Sequence, residues 1–177
     1  MTTTSKHPET LALHGGSYRK DPTTNAVAVG RNARATAVSA SAFGAFSDAS
    51  GLQSISIGRS SSASQTKAMA IGDGASSSGV SSIAFGDSSA ASATNSIAVG
   101  RSSKATAESS TAVGVGASAA AKNALALGSG SSASGESSIA LGDASSATQT
   151  NAMALGVGSQ ATHANATSIG TGSSTTA

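Results

Sequence analysis

"NSIAVGRSSKATAESSTAVGVGASAAAKNALALG", residues 95–128, states one phrase three times, closing on Gly100, Gly114 and Gly128. The same spacing reaches Gly30, Gly44, Gly58, Gly72 and Gly86 upstream and Gly142, Gly156 and Gly170 downstream, so eleven glycines keep a fourteen-residue register without a slip. A fixed period of this length makes one structural unit recur and signals a solenoid or an array ahead of any other local feature.

Upstream of each glycine the phrase reads apolar, small, apolar: Ile55-Ser56-Ile57, Ile83-Ala84-Phe85, Ile97-Ala98-Val99, Leu125-Ala126-Leu127, Met153-Ala154-Leu155. That is period two, a short strand with its large residues on one face. Weaker copies, such as Thr111-Ala112-Val113 and Thr167-Ser168-Ile169, keep the last large position and relax the first. Downstream, the third residue after the glycine is always Ser or Ala, and the fifth is Ala in nine of eleven copies, Ser77 and Thr175 being the exceptions. Small residues two apart describe a second strand whose inward face has room for a methyl group. A second glycine two places on, at Gly74, Gly116, Gly130, Gly158 and Gly172, suits a tight corner that needs a positive φ or a close backbone approach.

Fourteen residues at about 3.3 Å each give roughly 46 Å of contour, enough for two strands and two turns closing one flattened coil. Coils stacked about 4.8 Å apart make eleven of them a rod on the order of 50 Å long. The chain therefore reads as all-β, a parallel β-roll solenoid of about eleven fourteen-residue coils. Two large apolar residues per coil return less than the conformational entropy of ordering that coil, and Ala, Ser and Gly cannot widen the core. The repeat thus calls for a second buried face between chains, an oligomer.

Composition narrows the function. Of 177 residues only 2 % are aromatic and none is Trp, which leaves no material for the thick core of a compact enzyme. Ser, Ala and Gly dominate as in a flexible linker, yet mean hydropathy is +0.02 and the large apolar residues recur at fixed places, which argues against disorder. Net charge is +2, with the basic excess early, in Lys6, Arg19, Lys20, Arg31 and Arg34 against Glu9 and Asp21. With no basic stripe and no aromatic residues interleaved with Lys and Arg, nucleic acid is not an expected partner. The absence of cysteine excludes disulfides and thiolate metal sites. The apolar patch "LALH" near the N-terminus is too short for a signal peptide, and no segment reaches membrane-spanning length, so no direct membrane insertion is expected.

No catalytic, cofactor-binding or metal residues are expected. "LGSGSSA" (residues 127–133) and Gly156-Val157-Gly158-Ser159-Gln160-Ala161 formally fit the dinucleotide fingerprint, but both are products of the repeat and neither opens a helix within a βαβ unit. His7 and His14 lie in the leader, and His163 falls at a variable turn position equivalent to Gly135 and Gln149, where a solvated side chain is the simpler reading. Asp73, Asp87 and Asp143 share the place after the glycine, but the glycine-rich nonapeptide of calcium β-rolls is missing, so they read as exposed solubilising charge. No serine has a His and an Asp placed to complete a triad.

"NSIAVGRSSKATAES" resembles the fourteen-residue repeat of YadA-like heads in trimeric autotransporter adhesins, and the resemblance covers residues 25–177. It implies a left-handed parallel β-roll and a homotrimeric, non-enzymatic head that binds host matrix proteins such as collagen, or cell-surface receptors, from the bacterial outer surface. Asn25, Asn95, Asn123, Asn151 and Asn165 match the polar position that opens the family repeat; Ser39, Gln53, Lys67, Ser81, Ser109 and Ser137 fill it elsewhere. Family heads are followed by a neck, a coiled-coil stalk and a membrane barrel, for which these residues hold no counterpart. The expectation is an excised head or a head in another setting, such as a phage tail fibre. An ice-binding solenoid is a further alternative, disfavoured because Thr36, Thr66, Thr94, Thr106, Thr148 and Thr162 recur irregularly. Ligand choice is expected in the variable turn residues, including Arg59, Lys67, Arg101, Lys104 and Lys122.

Residues 1–24 read as a separate leader or cap ahead of the head repeats at 25–177. Within it, "HPETLALHGGSYRKDPTTNAVAV" (residues 7–29) resembles the N-terminal segment of O-acetylhomoserine sulfhydrylases, which are pyridoxal-phosphate enzymes. The likeness stops at Val29, and nothing of that family's cofactor-binding body follows, so it implies no activity.

Overall fold

The computed structural model describes residues 25–175 and, ahead of them, the strand backbones of Leu11–Leu13 and Ser17–Tyr18. Every described strand is parallel to its neighbours, and no helix occurs among the described residues. Two sheets run the length of the array, one of twelve strands and one of eleven. The first is built of three-residue strands such as Ile83–Phe85 and Ile97–Val99, the second of two-residue strands such as Ala90–Ala91 and Lys104–Ala105. Each strand pairs with its equivalent one coil away, Ile83 with Ile97, Ala84 with Ala98 and Phe85 with Val99, so the sequence register is also the pairing register.

The coil beginning at Gly58 shows how the backbone closes. Gly58, Arg59, Ser60 and Ser61 form a turn, Ser62–Ala63 is a strand, Gln65 to Ala68 form a second turn, and Met69–Ile71 returns to the next glycine. Both turns are closed by a bond from the fourth residue's N–H to the first residue's carbonyl, Ala68 to Gln65 at 3.0 Å for example. Both place their third residue in the left-handed region, Ser60 at φ 55° and Lys67 at φ 57°, the requirement of a type II turn. Asn and Gly are frequent at these places because they tolerate that conformation at low cost, and Ser recurs there as well.

The interior is narrower than period two alone indicates. The middle residue of each three-residue strand points inward and is buried, as Ala84, Ala98 and Ala126 are, and the large residues flanking it point outward. The expected pairs of large side chains are thus not the core. Among the described residues no fully buried side chain is larger than serine. Two facing strands of two and three residues enclose a slot that Ala and Ser fill, and a wider side chain has nowhere to go.

Serine enters this slot because its hydroxyl finds a local acceptor. Ser103 Oγ donates to the Gly100 carbonyl at 2.8 Å and Ser131 Oγ to the Gly128 carbonyl at 2.9 Å, and the bond recurs up the array. In the opposite turn Ser110 Oγ donates to the Ala107 carbonyl at 2.6 Å. Most buried hydroxyls are thereby satisfied without leaving the coil, Ser54 and Ser138, whose Oγ atoms have no partner among the described residues, being the exceptions.

The register glycines are fixed by two constraints together. All eleven have φ between 115° and 140°, and a Cβ built on Gly100 would lie 2.5 Å from the carbonyl oxygen of Gly114 in the next coil. At the N-terminal end, Leu11–Leu13 pairs with Val27–Val29 and Ser17–Tyr18 with Arg34–Ala35, so each sheet gains one strand from the leader, at a longer spacing than the repeat.

Candidate binding faces

Because every coil is equivalent, each sequence position becomes a column along the rod. The outward side of the three-residue strands carries two apolar columns. The column just before the glycine is large and apolar in every coil, from Val29 and Phe43 through Phe85 and Leu127 to Ile169. Its companion, two residues earlier, is apolar apart from Ser41, Thr111 and Thr167. Ile57 is 39 % exposed and Phe85 50 %, values without a counterpart on the inward face. A continuous apolar strip of this length on one side of a rod marks an interaction surface.

The outward side of the two-residue strands is polar and small. The residue after each of these strands forms a column of Thr36, Ser50, Ser64, Ser78, Ser92, Thr106, Ala120, Ser134, Thr148 and Thr162, nine of its ten members bearing a hydroxyl. Four of the six threonines that look irregular along the chain therefore stand in one line. The neighbouring column mixes Ser62, Ser76, Ser118, Ser132 and Ser146 with Arg34, Asp48, Lys104 and Gln160. An open groove of about 500 Å³ lies beside this face, lined by Gln65, Ser78, Val80, Ser92, Thr94 and Glu108 among others, where Gly79 leaves a notch in the turn column.

Charge is arranged as pairs between adjacent coils. Arg59 meets Asp73 at 2.6 Å, Lys122 meets Glu108 at 3.1 Å and Arg34 meets Asp48 at 3.6 Å. Arg31 stacks over Phe46 at 4.6 Å from the ring centre, and Asn151 donates to Asn165 at 3.0 Å. Such exposed pairs contribute about 0–1 kcal/mol each.

The variable-turn residues do not converge on one site. Arg59 and Arg101 stand at the glycine corner, Lys67 and Lys122 at the opposite corner, and Lys104 on the polar sheet face. Asp73, Asp87 and Asp143 occupy the glycine corner and are exposed. His163 is an exposed turn residue whose Nδ1 lies 3.1 Å from Thr162 Oγ1; His7 and His14 lie outside the described residues. The two dinucleotide-like stretches run into strands, Ser132–Ala133 and Gln160–Ala161, where a phosphate site would need a helix N-terminus. Among the described residues there is no group of three or more His, Cys, Asp or Glu placed to hold a metal, and no helix long and apolar enough to cross a membrane.

The stacked coils and their glycine register can now be compared with known proteins. The family model "YadA head domain repeat (2 copies)" matches residues 24–47, 49–75, 77–103, 105–131, 133–156 and 147–173. The chain belongs to the YadA head family. The crystal structure of the collagen-binding domain of the Yersinia adhesin YadA is similar to this YadA-like head at 28 % identity and a TM-score of 0.52, over 82 % of this chain and 69 % of that one. A comparison with curated proteins returns no match. The sulfhydrylase likeness of residues 7–29 falls on a stretch whose described strands stack onto this array.

Sequence reasoning found the strands, the glycine corners and the second turn glycines, which have φ of 63° to 67°. It missed the hydroxyl column. The signal was there in the strict alternation around the second strand, where a buried Ala at the fifth place puts its two neighbours outside.

Proposed function

We propose that this YadA-like head is a non-enzymatic adhesin module, displayed on a bacterial surface as a homotrimer. In this reading it binds extracellular matrix proteins such as collagen, or cell-surface receptors, through its repetitive polar faces. The observation that carries the reading is the division of the coil's surface. One sheet face is apolar along the whole array and needs a partner, and three copies turning that face to a common axis bury it. The other face, with its hydroxyl column and scattered charges, is left outward for a ligand. Recognition by such a surface is spread over many coils and requires no pocket.

The YadA collagen-binding domain supports this reading as a member of the same family. Residues 1–24 act as a cap on the first coil, consistent with the strands they add to both sheets. Arg34, Asp48 and Lys104 stand among the hydroxyls of the polar face and break the uniform lattice that ice binding requires.

The test is molar mass by light scattering together with surface binding to a panel of collagens, other matrix proteins and receptor ectodomains. The expected result is three times the 16.6 kDa chain and saturable binding to at least one ligand. A single-chain mass at micromolar concentration, or no binding across the panel by a verified trimer, overturns the assembly or the adhesin reading respectively.

A further inference from the structure

Resting on the trimer just proposed, we infer that the polar corners flanking the apolar face form an interchain seam that fixes the axial register of the three copies. A threefold axis along the rod makes each contact heterologous, the glycine corner of one copy meeting the opposite corner of the next. Rotation about that axis leaves height unchanged, so the residues that meet are those flanking the same three-residue strand.

The side chains at those paired positions are complementary. Arg31, Arg59 and Arg101 at the glycine corner correspond to Asn25, Gln53 and Asn95 at the opposite corner, so each guanidinium is offered an amide oxygen. Asp73, Asp87 and Asp143 correspond to Lys67, Ser81 and Ser137, so each carboxylate is offered a donor. In no coil does Arg face Lys or Asp face an acid across these two columns. Lys67 is exposed and has no ion-pair partner among the described residues, while Asp73 is held by Arg59. Its ammonium, arriving from the neighbouring copy, completes a three-membered charge cluster. A slip of one coil in one direction sets Lys67 against Arg59, while the opposite slip keeps Lys67 on a carboxylate, that of Asp87; both take Arg59 and Arg101 off their amides and onto Ser or Lys. The apolar columns alone are too uniform to forbid such a slip; the corners supply the missing specificity.

Crosslinking tests this directly because the chain has no cysteine. Positions 67 and 73 lie on opposite sides of strand Met69–Ile71, well over about 10 Å apart at 3.3 Å per residue. A disulfide needs Cα atoms within about 7 Å, so it cannot form within one chain. Lys67→Cys/Asp73→Cys and, as an independent pair, Asn95→Cys/Arg101→Cys are oxidised and run on non-reducing denaturing gels. The offset pair Lys67→Cys/Asp87→Cys serves as the control, and all five sites are turn residues whose side chains are exposed. The expected result is a ladder ending at the covalent trimer for both in-register pairs and monomer for the offset pair. A trimeric mass in solution with no in-register crosslink, or with equal crosslinking of the offset pair, overturns the seam and leaves the trimer standing. A monomeric mass for the parent chain overturns both.

Discussion

Replacing Gly100 by alanine tests the coil geometry with a single atom. A Cβ at this position meets the carbonyl oxygen of Gly114 at 2.5 Å and its carbonyl carbon at 2.7 Å, and φ is +125°. The clash is with backbone, so no side chain can rotate out of the way. Relief requires the two coils to separate, and that stretches the bonds from Gly114 N–H to the Val99 carbonyl at 2.8 Å and from Gly116 N–H to the Arg101 carbonyl at 2.9 Å. Backbone strain of about 1–3 kcal/mol and overpacking of about 1–3 kcal/mol combine to roughly 2–6 kcal/mol. At ~2–4 °C per kcal/mol for a chain of this size, the melting temperature should fall by about 10 °C. Gly116→Ala is the matched comparison: φ is +67°, nothing lies within 4 Å of the added methyl, and Ala144 already occupies the equivalent place at φ 52°. Its cost should be about 1 kcal/mol. Thermal melts by circular dichroism on the assembled protein decide between them. If Gly100→Ala melts within about 2 °C of the parent, or Gly116→Ala is the more damaging of the two, the stacked-glycine corner is wrong.

Three other outcomes follow from the same geometry. Phe85→Lys with Leu127→Lys places charge on the apolar face, and light scattering should report single chains where the parent is oligomeric. Ala126→Leu, at a fully buried site in a slot that holds nothing larger than serine, should lower the urea midpoint by the equivalent of about 3 kcal/mol, the upper end of overpacking costs. Lys122→Ala removes an exposed pair with Glu108 and should change stability by less than about 1 kcal/mol, within a few degrees in the same melts.

The solenoid was legible in the sequence because a coil this small leaves little freedom. Glycine at each corner is imposed by the coil above, so its period survives every other substitution. The direction of the strands was harder to read. Alternation in Ile97-Ala98-Val99 says that Ala98 and its neighbours face opposite ways, but not which way is in, since a one-residue flip exchanges the faces. The second strand resolves it. Ala105 and Ser103 have no large neighbour to offer the interior, and a slot lined on one side by methyl and hydroxymethyl groups is matched by Ala98 on the other. The left-handed residue of the glycine corner is signalled where it is Gly or Asn, as at Gly116 and Asn32; Phe46 and Ala144 adopt the same conformation and give no local sign of it. The charged turn residues were found one by one, but their distribution over three faces depends on the coil's cross-section, which spacing alone does not define.

That cross-section also underlies the proposed assembly. In an ordinary domain the largest apolar side chains are the interior, and what remains outside is mostly polar. Here the coil is closed by strands too short to enclose a leucine, so Ile, Leu, Met, Val and Phe are placed outside in two columns while Ala and Ser take the interior. Burying alanine removes little apolar area from water, and the backbone ladders that hold the coils together recover only part of the ordering entropy. The apolar free energy that would stabilise a globular core is therefore held in reserve on one face, available only when that face meets another. In the proposed trimer, folding and association become one equilibrium, as in obligate oligomers whose stability is inseparable from protomer concentration. In that proposed assembly the module stays thin and regular on its polar side because its two apolar columns lie on the side turned to its copies.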